Sequence, residues 1–112
     1  MSTSVGRQAE DAAADYLSDN GYTILEQNWR TRVCEIDIIA KKGTRVYFIE
    51  VKYRSSSRQG SGLDYITPKK LKQMQFAAES WVNEQKYSGD YMLSAVEVGP
   101  DFVVTNFVDE II

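Results

Sequence analysis

Cys34-Glu35-Ile36-Asp37-Ile38-Ile39-Ala40-Lys41-Lys42, then Gly43-Thr44, then Arg45-Val46-Tyr47-Phe48-Ile49-Glu50-Val51-Lys52-Tyr53, is the stretch on which the fold turns. Two strand-length runs rich in Ile, Val and aromatic residues flank a two-residue Gly-X loop, the pattern of a type II′ hairpin. That loop pairs Lys42 with Arg45, and counting back from it sets Asp37 directly opposite Glu50. Side chains alternate along a strand, so Glu50, Lys52 and Asp37 share one face. Directly opposed residues have Cβ atoms about 5 Å apart, and like charges there are destabilising. A divalent cation held between the two carboxylates removes that penalty. A structural reading stands beside this one. Val46 to Val51 is apolar on both faces apart from Glu50, which reads as a strand covered on both sides. Charges near the end of such a strand need partners, and Glu50 with Lys52 as an ion pair would meet that need without metal. Acids solvated on a hairpin face are also common. Spacing alone leaves these readings open.

Working outward, residues 5–20 predict a helix. Ala9, Ala12, Ala13, Tyr16 and Leu17 recur at helical spacing, Ser4 is the expected N-cap, and Asn20-Gly21 is the stop. Tyr22 to Trp29 reads as a first strand with Ile24 and Leu25 inward. Ser55 to Gly62, rich in Ser and Gly, reads as a mobile loop beside the charged cluster. Thr67-Pro68 opens a second helix as N-cap and first helical residue, with Leu71, Met74, Ala77, Ala78, Trp81 and Val82 as its apolar stripe. Tyr91 to Val98 and Phe102 to Val108 are strands about the turn Gly99-Pro100-Asp101. The expected fold is α/β (α+β): a mixed central sheet flanked by helices, in the order α-β-β-β-α-β-β.

The 112 residues, 43% hydrophobic and 12% aromatic, suit one folded domain over 1–112. No apolar run approaches a membrane span, and Met1 to Ser4 does not read as a signal peptide. One cysteine, Cys34, excludes an internal disulfide and fits a cytoplasmic location. The absence of histidine excludes Ser-His-Asp and Cys-His catalysis and any imidazole-bound zinc. A metal site here must use oxygen ligands, which favours magnesium or manganese. The net charge of −3 hides an asymmetry: residues 30–72 carry eleven of the thirteen cations and four acids, a local +7. Local field governs binding to a polyanion such as nucleic acid. An unevenly charged, solvated surface is the plainer alternative.

Val5-Gly6-Arg7-Gln8-Ala9-Glu10-Asp11, Asn28-Trp29-Arg30, Glu35-Ile36-Asp37-Ile38-Ile39, Phe48-Ile49-Glu50-Val51-Lys52-Tyr53-Arg54 and Thr67-Pro68-Lys69-Lys70 occur in that order. Together they resemble the YraN family, small bacterial proteins with a PD-(D/E)XK nuclease-like fold similar in shape to archaeal Holliday-junction resolvases. The resemblance runs from Gly6 to about Trp81. It implies a restriction-endonuclease-like domain and a magnesium- or manganese-dependent endonuclease, a hydrolase of DNA phosphodiester bonds, with branched or junction DNA in view. Carried over residue by residue, it makes Asp37 and Glu50 the metal ligands and adds the Val51 carbonyl. Glu10 is the accessory acid, reaching the metal directly or through water, and Lys52 is the site lysine. Arg30, Arg32, Arg54, Lys69 and Lys70 form the expected phosphate-contacting set. Lys69 and Lys70 stand in the first turn of the second helix, where the dipole disfavours cations unless an anion is bound; ordinary surface lysines are the alternative. The family pattern has glycine where this chain has Ala9 and Cys34. Cys34 reads as a small filler, since no histidine is present to activate it. The competing function is a non-catalytic nucleic-acid-binding or adaptor protein on the same fold. A homodimer is compatible with the sequence, and a membrane partner is not expected.

Overall fold

In a computed structural model, which describes residues 4–56 and 64–112, the hairpin closes as its loop predicts. Gly43 takes φ +64° and is the only loop residue at positive φ, the requirement of a type II′ turn. Lys42 pairs with Arg45, and the register continues to Ile38 opposite Ile49. The elements run α1 Ser4–Asp19, β1 Thr23–Arg30, β2 Glu35–Lys42, β3 Arg45–Tyr53, α2 Pro68–Gln85, β4 Asp90–Val98 and β5 Val104–Val108, the expected order. They form one sheet, β1-β2-β3-β4-β5. Only β3 and β4 are parallel, and a parallel pair needs a crossover connection, which α2 supplies.

A sheet whose central strands are apolar on both faces must be covered twice. Alternation along β3 shows how. Tyr47 and Ile49 join Ala9, Ala13 and Leu17 of α1 in one cluster. Val46 and Phe48 join Met74, Ala77, Ala78 and Trp81 of α2 in the other. Phe48 meets Trp81 edge-on at 5.5 Å between ring centres, and burying such a side chain contributes about 1.5–3 kcal/mol. The even-numbered row of β3 therefore faces α2, which puts Glu50 and Lys52 on the α2 side.

Local signals set the ends. Thr67 Oγ1 accepts from Lys70 N–H at 3.1 Å, with Pro68 at the first helical position. Some details differ from expectation. Ser4 is already helical, a shift of one residue that falls within ordinary end fraying. Leu25 is 42% exposed while Ile24 packs inward; the register with β2 shifts between Ile24 and Glu26, leaving Leu25 as the extra, unpaired residue. Phe102 belongs to the turn: it has φ +57° and donates its N–H to Gly99 O at 2.9 Å, so β5 begins at Val104. Most of the loop expected over Ser55 to Gly62, Arg58 included, lies outside the described residues. Among the described residues no helix is long and apolar enough to cross a membrane. Replacing Thr67 with Ala removes the cap of α2 and should lower stability by about 1 kcal/mol, read from urea denaturation.

Candidate functional site

The pairing of β2 with β3 stops one step before the two carboxylates would face each other. In an antiparallel hairpin closed by Lys42 and Arg45, hydrogen-bonded pairs recur every second residue. The next after Ile38 and Ile49 would join Ile36 to Val51. Instead the Val51 N–H donates to Asp37 Oδ2 at 2.8 Å. By the same alternation the Val51 carbonyl is directed toward β2 beside it. The pleat of β2 breaks at this point too: Ile38 and Ala40 alternate with Ile39 between the two faces, but Ile36 lies on the α2 side, out of step with Ile38. Asp37 sits at that break, where its side chain substitutes for a backbone partner.

Across β1 the register places Asn28 opposite Asp37, between Gln27 opposite Ile38 and Trp29 opposite Ile36. Asn28 has φ +55°, a left-handed conformation that Asn tolerates better than most residues, and its Nδ2 donates to Glu10 Oε1 at 2.7 Å. Glu10 is 8% exposed on α1, so the carboxylate expected as the accessory acid lies on the α1 side. Burial pushes the Asp37 carboxyl up to about 7, and the neighbouring Glu50 charge adds to it. The Val51 N–H pulls the other way, and Glu10 and Glu35 raise it further. Asp37, Glu50 and Glu10 thus share one electrostatic neighbourhood.

Glu50 has a partner that the sequence reading did not pair with it. Lys70 Nζ lies 2.9 Å from Glu50 Oε2, because the even row of β3 faces the first turn of α2. Lys52, next along that row, is not its partner. The Lys52 ammonium stands 5.7 Å from the centre of the Tyr65 ring. Tyr65 also went unremarked in the sequence. Its hydroxyl is buried and has no hydrogen-bond partner among the described residues. Burial raises its pKa, and the Glu50 charge is the next largest cause. A buried hydroxyl left orphaned among carboxylates and cations fits a place that takes a further polar group. The donor set is all oxygen, the chemistry of magnesium or manganese. Among the described residues, however, no three acidic or cysteine side chains form a ready chelating group. Glu50 would have to exchange Lys70 for the ion.

Beside Glu50 opens a groove of about 870 Å³ between the first two turns of α2 and the β1–β2 connection. Arg30, Lys69, Lys70 and Lys72 line it with Glu35 and Glu50. Arg30 pairs with Glu35 at 3.5 Å. Of the expected phosphate set, Arg30, Lys69 and Lys70 meet here. Arg32 is exposed on the β1–β2 connection but not in the lining. Arg54 is elsewhere: its Nε lies 2.9 Å from Glu97 Oε2, the side chains 11% and 7% exposed. Neither Ala9 nor Cys34 has positive φ, so neither position demands glycine for its backbone. The Cys34 Sγ lies 3.3 Å from Thr31 Oγ1 at the groove.

The model of the Uncharacterised protein family UPF0102 matches residues 9–100. The chain belongs to this family. It is the YraN family that the motifs resemble. The UPF0102 protein of Tropheryma whipplei is 39% identical over 113 residues, covering 93% of this chain and 90% of its own length. That of Vibrio campbellii is 36% identical over 97 residues, 84% of this chain and 80% of its own. That of Chlorobium phaeobacteroides is 49% identical over 78 residues, 70% of this chain and 61% of its own. The family match takes in Glu10, Asp37, Glu50, Lys52 and Lys70.

The raised Asp37 pKa has a consequence for stability. The folded state holds this proton more tightly than the unfolded chain, so the stabilisation is complete below about pH 4 and is lost as pH rises through about 7. Asp37→Asn keeps an acceptor for the Val51 N–H and removes the charge. In chelator at pH 8 it should be more stable than the parent by on the order of 2 kcal/mol, the gain shrinking toward pH 4. Urea denaturation at the two pH values checks this, and a variant less stable at pH 8 would contradict it.

Proposed function

We propose that this UPF0102 protein is a metal-dependent nuclease that hydrolyses phosphodiester bonds of DNA, including branched or junction DNA. One observation carries the reading. Asp37 and Glu50 converge where the β2–β3 ladder ends, the Val51 carbonyl is directed into the same gap, and Lys52 follows Glu50 on its face. Asp37, Glu50 and the Val51 carbonyl would hold magnesium or manganese, with Glu10 reaching it directly or through water. A bound divalent cation supplies polarisation of a phosphate oxygen and a lowered pKa for a bound water.

The chain's own groups do the rest. Asp37 must lose its proton to act as a ligand, which nearby positive charge favours. Lys52, over the Tyr65 ring at 5.7 Å, would meet a phosphate oxygen and offset charge that builds there. Were Glu50 to hold the ion, the Lys70 ammonium that now pairs with it would be free to contact phosphate in the groove it lines. Arg30, Arg32 and Lys69 would hold the backbone. In the hydrolysis the water oxygen bonds to phosphorus and the bond to the 3′ oxygen breaks. The products are a 5′-phosphate and a 3′-hydroxyl, as the family resemblance implies.

A specific observation favours the second reading, a non-catalytic nucleic-acid-binding or adaptor protein. Lys70 pairs with Glu50 at 2.9 Å, so that carboxylate already has a cationic partner without metal. Cleavage of a panel of junction, single-stranded and duplex DNA in magnesium, manganese and chelator separates the two. The nuclease reading expects metal-dependent cutting, lost in Glu50→Ala together with the single manganese site seen by titration. In Lys52→Ala, turnover should fall by about 100-fold or more while DNA affinity changes little. Binding without cutting by the parent protein in either metal would establish the adaptor instead.

A further inference from the structure

The groove beside Glu50 is not uniformly cationic. Phe76 on α2 and Val33 on the β1–β2 connection both line it, and they are 53% and 77% exposed. A lone apolar side chain on a surface is unremarkable. Here two stand on opposite walls of one groove, among cations and next to the proposed catalytic carboxylate. Helical spacing makes the α2 wall one stripe: Lys69, Lys72, Gln73 and Phe76 are related by three, four and seven residues. The opposite stripe of α2, with Met74, Ala77, Ala78 and Trp81, is spent on the core. Of the groove cations, Arg30 and Lys70 are paired with Glu35 and Glu50. Lys69 and Lys72 form no ion pair among the described residues.

A duplex presents phosphates and groove edges to such a wall and keeps its base faces stacked inside. An exposed phenyl ring set one turn beyond a lysine pair has no partner on it. An unpaired strand offers both phosphates to cations and free base faces to an aromatic ring. We infer that the groove binds an unpaired single-stranded segment of nucleic acid. Phe76 is its stacking platform, Val33 the opposing wall, Lys69 and Lys72 the phosphate contacts, and the strand is led toward Glu50. This rests on the nucleic-acid part of the function proposed above and is independent of cleavage.

The test is fluorescence anisotropy in chelator, where no cutting can occur, with a labelled oligothymidine and a duplex of equal length. Phe76 is exposed, so its replacement leaves the core intact. Phe76→Ala should lose between about 5- and 150-fold in single-strand affinity, the value of one base–aromatic stack, and the ratio of single-strand to duplex affinity should fall with it. Phe76→Trp should restore that ratio. Lys69→Gln with Lys72→Gln should weaken both ligands and flatten their salt dependence. Unchanged single-strand affinity in Phe76→Ala, or an equal loss for the duplex, overturns the inference and leaves nucleic-acid binding standing. Failure of the parent to bind either ligand removes both.

Discussion

The hydrogen bond from the Val51 N–H to the Asp37 carboxylate is the constraint around which the site is arranged, since it takes the place of the ladder bond that a longer hairpin would make there. A continued ladder would have set two like charges directly opposite with backbone between them. Ending it one pair early turns Asp37 toward the backbone of β3 and directs the Val51 carbonyl into the opening. It also leaves Glu50 free to be met from α2. A backbone N–H on a carboxylate is a strong, charge-assisted contact. Even so, it does not hold Asp37 ionised, because burial and Glu50 raise its pKa to about 7. The sheet therefore holds a carboxyl group whose charged form is disfavoured, beside a second carboxylate that Lys70 pairs with.

The two helices play different parts around that sheet. α1 delivers Glu10, whose carboxylate is oriented by Asn28. α2 delivers Lys70 to Glu50 and presents its outer stripe to the groove. Glu10 thus comes from the α1 side, while Glu50 and Lys70 meet on the α2 side of β3.

What the sequence made legible was whatever is local. Gly43-Thr44 gave the hairpin and its register, Thr67-Pro68 gave the start of α2, and alternation in β3 gave its double burial. Leu25 was misread because the register of β1 with β2 shifts between Ile24 and Glu26, where an unbroken strand was assumed. The break at Asp37 was hidden, since counting residues back from a turn assumes an unbroken pleat. Lys70 as partner of Glu50 and Tyr65 beneath Lys52 depend on how α2 docks, and no spacing in the chain encodes that. Arg54 was expected among the phosphate contacts, yet it pairs with Glu97 from β4. A trace of this was present: Glu97 stands between Val96 and Val98, in a run from Tyr91 to Val98 whose only other polar residue besides Tyr91 is Ser94.

That buried pair also bears on how the chain can drift. Lys52 and Glu97 are level across the parallel strands β3 and β4, and Thr105 Oγ1 donates to Glu97 Oε1 at 3.1 Å. Sliding β4 by one residue would exchange the face of every side chain on it. Glu97 would move in among the α1-side core that Val96 and Val98 occupy. Losing either charge alone strands the other inside the protein, which costs more than replacing both with apolar residues. Positions 54 and 97 are therefore expected to vary across relatives as a couplet, and the alignment of Glu50 with its neighbours is inherited along with them.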